Sequence, residues 1–230
     1  VPSAHRSIFD RPAPTADATS RYGDEPDQLV DLFGLEESGP WHVLIHGGFW
    51  RPQYDRSHLS HLAAAIAASR RRVALIEYRR IPGDPDATTS DVLAALASLD
   101  VSGATLIGHS AGGHLALWAS SSLRGLARVV AVAPVADLPR AEALGLGAGA
   151  VRAFLGVPAA QRPDLDPMSL TPLCEVVVVS GERDDRVPSG LSREYAVAKQ
   201  VRFVELANVG HFEPVDPLSP VFDTISGVLD

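Results

Sequence analysis

Ser110 stands between glycines in Gly108-His109-Ser110-Ala111-Gly112-Gly113-His114-Leu115. The apolar run Thr105-Leu106-Ile107 arrives before it, and an Ala/Leu-rich run leaves after it. That order reads as strand, tight turn and helix. A Gly-x-Ser-x-Gly turn of this kind lifts a serine oxygen clear of the sheet, where a nearby base can make it a nucleophile. Glycine at 108 and 112 lets strand and helix approach with no Cβ between them. His211 is the candidate base. It lies in Asn208-Val209-Gly210-His211-Phe212, just after the strand Val201-Arg202-Phe203-Val204-Glu205-Leu206. An acid must hold the imidazole and stabilise its charged form. The strand Glu175-Val176-Val177-Val178-Val179 runs into Ser180-Gly181-Glu182-Arg183-Asp184-Asp185, so Asp184 and Asp185 both qualify. Serine, aspartate and histidine thus come from three strand ends, in the chain order expected of this turn type.

Acyl transfer also needs N–H donors for a developing oxyanion. His46-Gly47-Gly48-Phe49-Trp50 follows a short apolar strand, and its two glycines let backbone approach substrate closely. The expected donors are the N–H groups of Gly48 and Ala111, with Phe49 as a further one. His46 reads as a buried structural residue. Gly47, Trp50, Tyr54 and His109 are the candidate pocket residues. His58-x-x-His61 puts two imidazoles on one helix face, but no third ligand has suitable spacing, so they read as a surface pair and no metal is expected.

The elements that must position these residues alternate. Short apolar runs at Trp41–Ile45, Val73–Ile76, Ala104–Ile107, Val129–Val132 and Glu175–Val179 read as strands. Helical spacing falls at His58–Ser69, Asp86–Leu99, Ala111–Ser121, Ser189–Lys199 and within 216–229. This alternation predicts a mainly parallel sheet covered by helices on both faces. The early strand Gln28–Phe33 is too close to its successor for a crossover helix, which predicts an antiparallel N-terminal edge. Residues 1–27, broken by Pro2, Pro12, Pro14 and Pro26, read as a surface wrap with a short strand near Ser7-Ile8-Phe9. Residues 137–173 carry Gly145, Gly147, Gly149, Gly156 and five prolines, and read as a lid-like insertion with one helix near Ala148–Leu155. No linker or repeat divides the chain, so 1–230 is read as one domain.

Composition narrows the function classes. The chain has 230 residues, 46% of them hydrophobic, enough for one sizeable core. A net charge of -8 argues against nucleic-acid and anionic-membrane partners. No apolar run is long enough to span a bilayer. Cys174 is the only cysteine, so no internal disulfide forms. No signal-peptide pattern is visible, and cytoplasmic location is the default expectation. Nothing specifies an oligomeric state.

At these motifs the chain resembles the α/β-hydrolase family, and more narrowly its kynurenine formamidase and small carboxylesterase branch. The resemblance rests on Tyr22-Gly23 with Pro26-x-Gln28 and Asp31-Leu32-Phe33, on His46-Gly47-Gly48-Phe49-Trp50, on Gly108–Leu115 and on Gly210-His211-Phe212. It implies an α/β-hydrolase fold and a Ser110–His211–Asp184 triad, because Gly181-x-x-Asp184-x-x-Val187-Pro188 fits the family's acid loop. The related hormone-sensitive-lipase type usually carries glycine at the position of Phe49 and aspartate at that of His109. Phe49 is expected to narrow the acyl side of the pocket. The implied activity is hydrolysis of a small ester or aryl formamide, with a small-molecule substrate and no cofactor. Acyl transfer or thioester cleavage uses the same residues and is the alternative. A binding protein on the same scaffold is the remaining reading, disfavoured because all three triad candidates are present.

Overall fold

The computed structural model describes residues 5–229. Eight strands form one sheet: β1 (Ala18–Arg21), β2 (Leu29–Phe33), β3 (Trp41–Ile45), β4 (Arg72–Ile76), β5 (Thr105–His109), β6 (Arg128–Val132), β7 (Glu175–Gly181) and β8 (Arg202–Leu206). Their spatial order is β1-β2-β4-β3-β5-β6-β7-β8. β1–β2 and β2–β4 pair antiparallel, and every other neighbour pair is parallel. This is the α/β-hydrolase topology, with the antiparallel N-terminal edge that the close spacing of the early strands predicts.

The central strands are apolar on both faces because both are covered. Val43 and Ile45 of β3, Leu106 of β5 and Val176 and Val178 of β7 join one core cluster, while Leu44, Ile107, Val177 and Val179 join the other. Helices α3 (Pro85–Ala97), α4 (Ala111–Ala119), α5 (Leu138–Ala143), α6 (Leu146–Leu155) and α7 (Ser189–Lys199) contribute to the first cluster. Helices α1 (His5–Asp10), α2 (Ser60–Ala68) and α8 (Phe222–Leu229) contribute to the second.

The structure corrects two expectations. Ser7-Ile8-Phe9 lies in helix α1, not in a strand. The first strand is instead β1, whose four residues are all exposed and carry no apolar alternation to announce it. The 137–173 segment holds two helices rather than one; Asp137 caps α5 by accepting a hydrogen bond from Arg140 N at 2.8 Å. Pro2 lies outside the described residues. No helix of the described residues is long and apolar enough to cross a membrane.

Candidate active site

β5 ends on His109, and α4 begins on Ala111, so Ser110 is the single residue that turns the chain between them. Its backbone takes φ 58° and ψ −117°, a region that non-glycine residues rarely occupy and that costs about 1–3 kcal/mol. The surroundings enforce it. Ser110 N donates to Val132 O of β6 at 2.8 Å, and Ser110 O accepts from His114 N at 3.1 Å. A methyl group at Gly108 would lie 2.2 Å from Gly112 O, and one at Gly112 would lie 2.0 Å from Ile45 O. No side chain fits at either position, so the glycines are required by close approach.

His211 and Asp184 meet across 27 residues. His211 Nδ1 donates to Asp184 Oδ2 at 2.7 Å, and both residues are buried. The other carboxylate oxygen, Oδ1, accepts from Arg186 N at 2.9 Å and Val187 N at 2.8 Å. These bonds fix the carboxylate before it meets the imidazole. Asp185 is exposed and lies 3.6 Å from the guanidinium of Arg186. The geometry therefore separates the two aspartates that the sequence leaves open.

Ser110 and His211 line one cavity of about 650 Å³. Its other walls are Phe9 and Asp10 from α1, Gly48, Phe49, Tyr54, His58, His109, Asp185, Arg186 and Phe212. No hydrogen bond within the described residues takes up the N–H of Gly48, Phe49 or Ala111. Gly47 sits under the elbow: a methyl group there would lie 2.8 Å from His109 O and 2.9 Å from Ser110 Cβ.

His109 bridges to the loop that carries His211. Its Nε2 donates to His211 O at 3.0 Å, and the two rings lie 4.7 Å apart. Burial first, then the neighbouring His211 and His58, hold the His109 pKa well below the ordinary histidine value, so its ring is neutral. His46 is buried as expected, with its ring nitrogens each 2.8 Å from an acceptor, Gly47 O and Glu77 Oε1. Burial opposes ionisation of Glu77, but His46 and Arg80 outweigh it and hold the carboxyl below the usual carboxylate range.

Three expectations about the site change. Gly47 does not line the cavity, and neither does Trp50. Trp50 is 2% exposed and stacks on Phe154 of α6, with centroids 4.5 Å apart and planes 10° apart. His58 is not a surface residue. It is buried against the cavity, its Nδ1 donates to Asp55 O at 3.0 Å, and burial pushes its pKa down to about 3. Among the described residues no three His, Cys, Asp or Glu side chains are grouped to hold a metal ion.

Phe9, Asp10, His58, Arg186 and Phe212 are lining residues that sequence reasoning missed as such. Phe212 was within reach, being adjacent to His211. Phe9 carried no signal, since only the folding of α1 against Phe212 (5.1 Å, edge-on) and His58 (5.6 Å) brings it to the site. None of residues 137–173 lines this cavity; the segment reaches the site only through Phe49, whose ring lies against Gly147.

No protein-family model matches the chain, and no curated protein matches its sequence. Solved structures do match. A Silicibacter protein provisionally named a thioesterase is 26% identical, with 96% of this chain and 87% of that one covered at a TM-score of 0.74. Esterase B from Lactobacillus rhamnosis, bound to a tributyrin phosphonate inhibitor, is 20% identical, with 97% and 88% covered at 0.77. A hyperthermophilic esterase from the archaeon Pyrobaculum calidifontis is 19% identical, with 97% and 86% covered at 0.75. The chain thus has the α/β-hydrolase fold and is similar to esterase-like proteins built on it.

Proposed function

We propose that the chain is a serine hydrolase that cleaves a small ester or aryl formamide through an acyl-enzyme. The observation that carries this reading is the buried 2.7 Å contact between Asp184 and His211, with His211 lining the same cavity as the strained Ser110. In this reading Ser110 Oγ attacks the substrate carbonyl, and His211 Nε2 takes its proton. Asp184 keeps the proton of Nδ1 facing the carboxylate and stabilises the imidazolium that forms. The N–H groups of Gly48, Phe49 and Ala111 receive the oxyanion. His211 then protonates the leaving alcohol or arylamine. Water, deprotonated by His211, attacks the acyl carbonyl and releases the acid and Ser110.

Phe49 supports a short acyl group in this reading, because it lines the cavity beside the proposed donor Gly48. Phe9, Tyr54 and Phe212 offer aromatic surface to an aryl leaving group, worth about 0.5–1.5 kcal/mol beyond burial. Thioester cleavage is the second reading, favoured by the likeness to the Silicibacter protein. Residue 110 is tested first. A fluorophosphonate should label the wild type at Ser110 and should not label Ser110→Ala, which loses several orders of magnitude in turnover. Labelling elsewhere, or more than a tenth of the activity in Ser110→Ala, rejects this nucleophile. Asp184→Asn should lower kcat far more than Asp185→Asn, by up to about ten-thousand-fold. A panel of p-nitrophenyl esters from acetyl to octanoyl, N-formylkynurenine and a short acyl thioester then sorts substrates. Rates should fall steeply with acyl length. A peak at octanoyl rejects the narrow pocket, and no turnover of N-formylkynurenine alone removes only the formamidase label.

A further inference from the structure

The loop after β3 is a turn made of the wrong residues. Arg51 N donates to Gly48 O at 3.1 Å, and the two central residues, Phe49 and Trp50, have φ 52° and 53°. A four-residue turn with positive φ at both centres is the mirror-image type I′ turn, which asparagine and glycine favour. Bulky aromatic residues do not adopt it unaided. Something outside the turn must hold it.

What holds it is the 137–173 segment. The Trp50 ring lies flat on Phe154 of α6. The Phe49 ring lies so close to Gly147 that a methyl group there would be 2.9 Å from Cγ and Cδ1. The Arg51 guanidinium donates to Gly147 O. Gly147 itself opens a left-handed stretch, with φ 56°, 52° and 80° at Gly147, Ala148 and Gly149, that presents its bare Cα and carbonyl to the loop. Three consecutive loop residues therefore each rest on this one segment.

We infer that residues 147–154 are a brace that sets the oxyanion-binding conformation of Gly48-Phe49, and that Arg51 is a positioning residue acting through Gly147 O. The catalytic part of this inference rests on the proposed hydrolase reading. The brace itself does not. The segment read from the sequence as a cover is a buttress for the loop.

Arg51→Met removes the donor while keeping side-chain length, and Arg51→Lys restores a donor. In Arg51→Met, exchange of the amides at positions 51 and 54, which donate to Gly48 O and to the residue 51 carbonyl, should quicken at least tenfold, with exchange in β5 and α4 unchanged. With a short p-nitrophenyl ester, kcat should fall ten- to a hundredfold while KM changes less than threefold. Affinity for an aryl trifluoromethyl ketone, which adds Ser110 Oγ to its carbonyl to give an oxyanion, should fall by the same factor as kcat. Arg51→Lys should recover part of each effect. Phe154→Leu should show the same pattern more weakly. Unchanged exchange in a folded Arg51→Met overturns the brace. Faster exchange with unchanged kcat and ketone affinity overturns its role in catalysis. A wild type that is neither turned over nor labelled rejects the hydrolase reading instead, and exchange still decides the brace.

Discussion

Helix α1 and the 137–173 segment lie on opposite faces of the sheet and do opposite things. The helix is 6 residues long, has Ile8 as its buried anchor, and supplies Phe9 and Asp10 to the cavity wall. Arg11, just beyond it, pairs with Asp216 at 2.6 Å. The 137–173 segment is several times longer, buries Leu138, Val151, Phe154, Leu155 and Leu165, and lines none of the cavity. Its main-chain acceptors turn toward α4: Leu165 O takes a bond from His114 Nε2 at 2.9 Å and Asp164 O one from Trp118 Nε1 at 3.2 Å. Length and a high content of glycine and proline therefore do not show which way an insertion faces. The direction of its apolar residues does, and here they face the core beside α4.

Phe154→Ala should be the most damaging change to this contrast. It removes a large buried ring from under Trp50 and should cost about 3–5 kcal/mol of stability. Chemical denaturation reads it, and a loss below about 1 kcal/mol would mean that the segment is a loose cover after all.

Acid probes the face under α1. Burial depresses the His58 pKa from 6.5 to about 3, so the folded protein leaves this ring neutral while the unfolded chain protonates it. The unfolded state then binds more protons, and stability falls as pH drops from about 6.5 toward 3, by up to about 1.4 kcal/mol per pH unit. Denaturation midpoints between pH 7 and 4 should fall less steeply in His58→Asn than in the wild type. Equal slopes would show that His58 is not the titrating group.

Phe9→Ala gives the smallest effect on stability and the most selective effect on substrate. The side chain is half exposed, so the stability loss should stay within about 1 kcal/mol. Hydrolysis of aryl acetates should fall several-fold, with alkyl acetate hydrolysis changed less than twofold. An equal change for aryl and alkyl leaving groups would show that Phe9 does not wall the leaving-group side.

Strands β3 to β7 were legible because they are buried on both faces and read as continuous apolar runs. The turn at Ser110 and the Asp184 loop each directly follow such a run, whereas the His211 loop follows the half-exposed strand β8 and was read from its place after that strand. The exposed strand β1 and helix α1 lie where hydrophobic patterning is silent. Helix α5 had its signal, Asp137 before Pro139, but dense punctuation by glycine and proline around it hid that signal. The turn at Phe49-Trp50 was illegible for a different reason. Turn chemistry is read from the residues inside the turn, and here the conformation is set by residues 147–154, a hundred positions away.

One contact ties the site together in time as well as in space. His109 precedes Ser110 in the chain and holds the carbonyl of His211. A displacement of β5 that carries the proposed nucleophile is thus transmitted, through one imidazole, to the peptide unit of the proposed base. The two reacting groups should drift as a pair. Their separation should fluctuate less than the position of either measured against the rest of the sheet, so that thermal motion blurs the site as a whole before it spoils the register within it.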